Sequence, residues 1–281
     1  MKASNNVILL KKGESSEANI FFVHDGSGDV YVYGMLSSLL NNAYNCWGLT
    51  SNIPEKMSPI NVSVENIAKS MVCDIRHICN ESPAIIIGWS IGGLIAVEVC
   101  KQLEDIGSKV IQLVVLDTFK SGKISAKLFY DLDYERESIS SWFDSDKLRG
   151  LLLDANNIDD MYSILIKHSG ENFLAIAKEK LHPNVLHTIP QYFMNDVKNF
   201  FICASRARTF WASSENYVLP SKPLNTPLLF IKAQQSQYDV KSNYLISCFL
   251  HHLCHEISCD HYSIINTNNV SEVSKLINDL L

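Results

Sequence analysis

The segment Gly88-Trp89-Ser90-Ile91-Gly92-Gly93 sets a serine with a glycine two positions away on each side, directly after the aliphatic run Ala84–Ile87 and directly before an amphipathic stretch. This is Gly-x-Ser-x-Gly at a strand-to-helix turn. Such a turn holds its serine in a strained backbone conformation, and a side chain at either flanking glycine would collide with neighbouring elements. The serine Oγ then projects above the sheet edge, with the positive end of a helix beneath it. The chemistry that suits this is nucleophilic attack on an acyl carbon. The five-residue pattern by itself is weak, arising by chance in roughly one such sequence in 20. The strand before it and the helix after it make it specific.

A serine hydroxyl attacks poorly until a base takes its proton. The candidates are His24, His77, His168, His182, His187, His251, His252, His255 and His261. In sheets that carry this turn the base follows the last strand, in the order Ser, acid, His. Glu256 to Cys259 reads as a short strand, so His261 falls on a loop at the C-terminal sheet edge, on the side of Ser90. His251, His252 and His255 fall on the other side of that strand. The run from His251 to His261 is also dense in metal-ligand types, but alternate strand side chains face opposite ways and cannot converge on one ion. No second Cys/His pair stands at finger spacing, and no metal is expected.

Asp117 and Asp239 compete to orient the histidine. Asp117 ends the strand next to the nucleophile strand and is the expected acid. Asp239 lies in a polar loop, Gln234-Gln235-Ser236-Gln237-Tyr238, where a carboxylate can simply be solvated. Asp260 is adjacent to His261 and is not expected to face its ring. The oxyanion of an acyl transfer needs two backbone N–H donors. Ile91, next to the nucleophile, is expected as one; Gly26, in the loop His24-Asp25-Gly26-Ser27-Gly28-Asp29, or the residue on either side of it, is expected as the other. That loop is not a phosphate cradle, since neither Gly-x-Gly-x-x-Gly nor a terminal Gly-Lys-Ser/Thr is present.

The elements that must position these groups follow from periodicity. Val7–Leu10, Asn19–Val23 and Asn45–Leu49 read as strands. Ser63 caps a helix from Val64 to about Ile78, with apolar residues at a period near 3.6. Ala84–Ile87, a helix from Ile91 to Ile106 and the strand Val110–Leu116 make a βαβ unit, hence a parallel sheet. The next buried strand, Pro227–Ala233, comes after an insertion whose first part, about 120–185, is amphipathic and helical. An insertion at the C-terminal edge of a parallel sheet stands where ligands bind, so it is expected to be a lid. Phe193–Trp211 reads as a return helix, Val240–Leu250 as another, and Val270–Leu281 closes the chain.

The 281 residues are 47% apolar and 19% charged, enough for a sizeable core and too apolar for wholesale disorder. A net charge of −6 without a basic stripe argues against nucleic acid and anionic membranes as partners. No apolar run is long enough to span a membrane or to act as a signal peptide. A cytoplasmic location is expected, with the eight cysteines reduced and mostly buried as small hydrophobes.

Taken together, Ile20–His24 with Gly26-Ser27-Gly28, then Gly88–Gly93 running into Ala96-Val97-Glu98, then Val114–Asp117, then Asp260-His261-Tyr262, resemble the thioesterase domains of non-ribosomal peptide and polyketide synthases. The resemblance implies an α/β-hydrolase fold in a single domain over 1–281, with a mostly parallel sheet, flanking helices and a helical lid. It implies a Ser90-His261-Asp117 triad. It also implies an acyl or peptidyl carrier protein as partner, whose phosphopantetheine arm delivers the chain, with no cofactor bound to the domain itself and a monomeric state. An acid at the Asp117 position resembles the chain-terminating kind; stand-alone editing thioesterases usually keep it nearer Asp239. Asp25 stands where the family often has proline, and Cys259 where glycine often precedes the base by two. No carrier domain is expected within these 281 residues, so the chain reads as either an excised terminal domain or a free-standing protein of that type. The alternatives are an esterase or lipase acting on small free esters, and a non-catalytic binding protein on the same fold.

Overall fold

Val114, Val115 and Leu116, like Ile85–Ile87, are wholly removed from water, as continuous aliphatic runs in a parallel sheet must be. Fully burying one such side chain contributes about 1.5–3 kcal/mol relative to leaving it exposed. The computed structural model describes residues 6–14, 18–120, 131–143 and 146–281. Among these, the strands are β1 (Val7–Lys11), β2 (Asn19–Val23), β3 (Asn45–Leu49), β4 (Ala84–Trp89), β5 (Val110–Leu116), β6 (Leu228–Ala233) and β7 (His252–Ile257). They form one seven-stranded sheet in the order β1-β3-β2-β4-β5-β6-β7. The pair β1–β3 is antiparallel and every other pair is parallel.

The register sets the site. Val23 pairs with Gly88, Trp89 with Leu116, Leu116 with Ile231, and Ala233 with Ile257. The loops that leave the C-terminal ends of β2, β4, β5, β6 and β7 therefore emerge at one edge of the sheet, where ligands bind in open α/β sheets.

The helices are α1 (Gly34–Leu39), α2 (Val64–Cys79), α3 (Ile91–Asp105), α4 (Leu132–Ser140), α5 (Asp146–Leu153), α6 (Ile158–Lys180), α7 (Pro183–Thr188), α8 (Val197–Asn216) and α9 (Val270–Asn278). Helix α2 begins as its sequence dictates: the Ser63 side chain accepts from Asn66 N–H, and Val64, Ile67, Ala68, Met71, Val72 and Ile75 are buried. It ends at Asn80, in the left-handed conformation.

By backbone contacts the chain divides into two compact units. Met1–Asn52, Ser63–Ser125 and Ser214–Leu281 make up the first, which holds the sheet. Its core includes Ile20, Phe22, Ile85, Ile87, Val114, Leu116, Leu229 and Ile231. Ile53–Val62 and Ala126–Ser213 make up the second, which is helical. Its own core is aromatic and aliphatic, with Phe173 and Phe201 stacked at 4.4 Å among Leu152, Met161, Leu165 and Phe200. The Ile53–Val62 segment belongs there because Asp159 accepts from Met57 N at 2.8 Å and from Ser58 Oγ at 2.5 Å. Of the insertion expected at about 120–185, residues 121–130, 144 and 145 lie outside the described residues.

Two expectations about local structure need correction. Strand β7 runs over His252–Ile257, not Glu256–Cys259. It is an edge strand, exposed at every position but Ile257, so no apolar alternation marks it; pairing with β6 from Leu228↔His252 to Ala233↔Ile257 defines it instead. The helix expected at Val240–Leu250 is two short 3₁₀ turns, Val240–Ser242 and Ile246–Cys248. Asn243 interrupts it: its side chain accepts from Lys120 N at 3.1 Å and donates to Thr118 O at 2.7 Å, which fixes a non-helical backbone there.

Candidate active site

Ser90 lies between β4 and α3 with φ 57° and ψ −129°, a positive-φ conformation outside the left-handed helical well that costs a non-glycine residue about 1–3 kcal/mol. The flanking glycines show why the turn tolerates nothing larger. A Cβ at Gly88 would overlap the Gly92 carbonyl, and one at Gly92 would overlap the His24 carbonyl at the end of β2. The strain is held from both sides: Ser90 N donates to Leu116 O at 3.0 Å, and Thr118 Oγ1 donates to Ser90 O at 2.6 Å.

The side chains of Ser90, His261 and Asp117, separated in sequence, come together at this edge. His261 Nε2 lies 3.0 Å from Ser90 Oγ, and its Nδ1 lies 2.8 Å from Asp117 Oδ2. The histidine side chain is 28% exposed and the Asp117 side chain is fully buried. The Trp89 ring lies against the imidazole with centroids 5.3 Å apart, and its Nε1 donates to His261 O at 3.2 Å. The ring is thus fixed from its face as well as from both nitrogens.

Asp117 is itself at φ 44° and its carboxylate is saturated. Oδ1 accepts from Ala233 N at 3.0 Å and Tyr238 OH at 2.7 Å, and Oδ2 accepts from Ser236 Oγ as well as facing His261. Burial works to raise its pKa, but the hydrogen bonds from His261, Ser236 and Tyr238 outweigh it and hold the carboxyl below its ordinary value. Asp239 takes no part: it is exposed, and its side chain accepts from Lys241 N at 3.0 Å. Asp260 likewise turns away from the imidazole, accepting from Tyr262 N at 2.8 Å and Ser263 N at 3.0 Å. Cys259 is buried beside the histidine loop, and burial followed by the Asp117 charge pushes its thiol up to about 11.

Ile91 is the first residue of α3, a position whose N–H has no partner within a helix. Gly26 lies in the turn after β2, and the close fit of Gly92 against His24 brings that turn to the start of α3. The positive φ in the turn belongs to Gly28, at 82°, not to Gly26. Asp25, buried in the same turn, accepts from Ser27 N at 2.9 Å and Ser27 Oγ at 2.5 Å. Burial pushes its carboxyl up to about 6 despite those bonds.

Ser236, Tyr238, Thr118 and the Trp89 ring all touch the site without having been singled out in the sequence. No spacing rule points to Ser236 or Tyr238; only the register of β6 beside β5 carries their loop to Asp117.

Residues 18–162, more than half of the chain, match the family model of the thioesterase domain. The chain belongs to the thioesterase domain family. This thioesterase domain is 29% identical over 115 residues to the non-reducing polyketide synthase PKS16 of Cladonia grayi, a match that covers 41% of the chain and 6% of the synthase. It therefore spans only a small part of the length of such relatives. Among solved structures it is similar to a four-domain nonribosomal peptide synthetase, holo-AB3403, with a TM-score of 0.67 and 21% identity, covering 98% of this chain and 20% of that one. It is also similar to the Vlm2 thioesterase domain bound with a dodecadepsipeptide, with a TM-score of 0.62 and 17% identity over 98% and 97% of the two chains. The thioesterase domain has the α/β-hydrolase fold of these neighbours.

Proposed function

We propose that this thioesterase domain takes an acyl, peptidyl or polyketide chain from the phosphopantetheine thioester of a carrier protein onto Ser90 and releases it by hydrolysis or cyclisation. The observation that carries this reading is the continuous hydrogen-bonded path from Ser90 Oγ through His261 to Asp117, in a member of the thioesterase family. The relatives' names support a carrier protein as donor, because they belong to synthases of polyketides and non-ribosomal peptides.

The steps follow from the atoms that face each other. His261 Nε2 takes the Ser90 proton as Oγ bonds to the thioester carbonyl carbon. The oxyanion that forms is met by the N–H groups of Ile91 and Gly26. Its collapse breaks the C–S bond, and the sulfur leaves with the proton held on Nε2. Water, or a hydroxyl or amine of the bound chain, then gives a proton to Nε2 and attacks the ester carbon; the bond between that carbon and Ser90 Oγ breaks, and Oγ takes that proton back. Asp117 accepts the Nδ1–H bond throughout, keeping Nε2 aimed at Ser90 and stabilising the imidazolium.

The test is selectivity. Release of one acyl group from a loaded carrier protein is expected to exceed release from its free ester by about tenfold or more in kcat/KM. A preference for the free ester would move the reading to an esterase.

The helical insertion is proposed as the lid, because the chain leaves the sheet after β5, at the end that carries Asp117, and returns before β6. Hydrogen exchange is expected to show α4–α7 opening faster than β4 and β5. Equal protection of both would make the insertion a fixed wall.

A further inference from the structure

We propose that the loop after β6 clamps Asp117, with Ser236 and Tyr238 as positioning residues that fix the carboxylate facing His261. This rests on the roles assigned above to Ser90, His261 and Asp117. A carboxylate with no exposed surface is costly unless its lone pairs are filled. One donor, Ala233 N, comes from the sheet, and one, Nδ1–H, is the histidine under control. The remaining donors are the Ser236 and Tyr238 hydroxyls, one on each oxygen. With both oxygens bonded on their outer sides, the carboxylate cannot rotate away from the imidazole.

The clamp is itself held. Gln234 N donates to Ile257 O at 2.8 Å, Gln235 N to Cys259 O at 3.0 Å, and Ser236 N to Ala233 O at 3.1 Å. The same loop is thus tied to the end of β7 and to the segment that leads into His261. The Tyr238 ring lies 4.8 Å from the Phe119 ring, and Lys232 Nζ lies 5.4 Å from its centroid. Burial first, then the Asp117 charge, raises the Tyr238 phenol far above its ordinary value, so it stays a donor. In this chain the loop that carries Asp239 supplies the acid's partners in place of the acid.

Two hydroxyl donors also drain charge from Asp117, which tempers its pull on an imidazolium at His261. Among the described residues, the other titratable and charged groups around the clamp and the histidine include Lys232 on β6, Glu256 on β7 at 3.7 Å from Lys232 Nζ, and Cys259, Asp260 and Tyr262 beside the histidine.

The experiment measures kcat/KM against pH for Tyr238→Phe, Ser236→Ala, the double variant and Ser236→Thr, with Asp117→Asn alongside. Each single loss of a donor to the carboxylate is expected to lower kcat by about tenfold with little change in KM. The acid limb of the profile should move to higher pH, a change that loss of packing alone does not produce. Ser236→Thr, which keeps the hydroxyl, should recover most of the Ser236→Ala loss. Singles within about twofold of wild type with an unmoved acid limb, while Asp117→Asn is inactive, would overturn the clamp and leave the triad standing. An active Asp117→Asn would overturn both. If the double variant fails to fold, the single variants still decide.

Discussion

Ser90→Ala is expected to abolish thioester turnover, and His261→Ala to be as inactive, each by a factor on the order of 10⁵–10⁶ in kcat. The near-equality matters as much as the size. In the proposed mechanism His261 Nε2, 3.0 Å from Ser90 Oγ, takes the serine proton, so removing either residue ends the same step. The fold should survive both changes. The turn at Ser90 is held by its backbone bonds to Leu116 and Thr118 and by the absence of side chains at Gly88 and Gly92, none of which depends on the serine hydroxyl. An unchanged unfolding midpoint in Ser90→Ala would confirm this for the turn, whereas His261→Ala, which removes a donor to the buried Asp117 carboxylate, should unfold somewhat earlier. Turnover in Ser90→Ala within about tenfold of wild type would exclude the serine mechanism.

Asp117→Asn is expected to lower the acylation rate by roughly a thousandfold or more, and Asp239→Asn to change it little. The amide of the Asn variant offers His261 an N–H where it needs an acceptor, so the tautomer that presents Nε2 to Ser90 is lost. Asp117 is fully buried with His261 Nδ1 at 2.8 Å, whereas Asp239 caps a 3₁₀ turn in solvent. Both variants should be assayed on one thioester. The opposite ranking would place the acid on the loop after β6.

What the sequence disclosed and what it hid divide along physical lines. The bounds read for β2, β3 and β5 match the strands residue for residue; β2 and most of β5 are buried, as central parallel strands are, whereas β3 is half-buried at Asn45 and Trp47. The turn at Ser90 was legible for a different reason: its glycines are demanded by close backbone approach. Asp117 stands directly after β5 and His261 shortly after β7, and parallel pairing brings those two strand ends to one edge. Strand β7 was misplaced because an exposed edge strand such as His252-Leu253-Cys254-His255-Glu256 carries no burial pattern, only backbone pairing. The Asp117 partners Ser236 and Tyr238 were hidden because serine and tyrosine in a polar loop look the same whether solvated or aimed at a buried carboxylate. The length of a helix near Val240 depended on Asn243, whose amide is recruited by Thr118 and Lys120 from a distant part of the chain.

Ser90 is expected to carry the acyl group. Intact-mass analysis of the domain mixed with an acyl-loaded carrier protein tests it directly. The expected result is a mass increase equal to the acyl group, mapped by peptide fragmentation to Ser90 and absent from Ser90→Ala. The same mass increase in Ser90→Ala, or the label mapped to another residue, would contradict it.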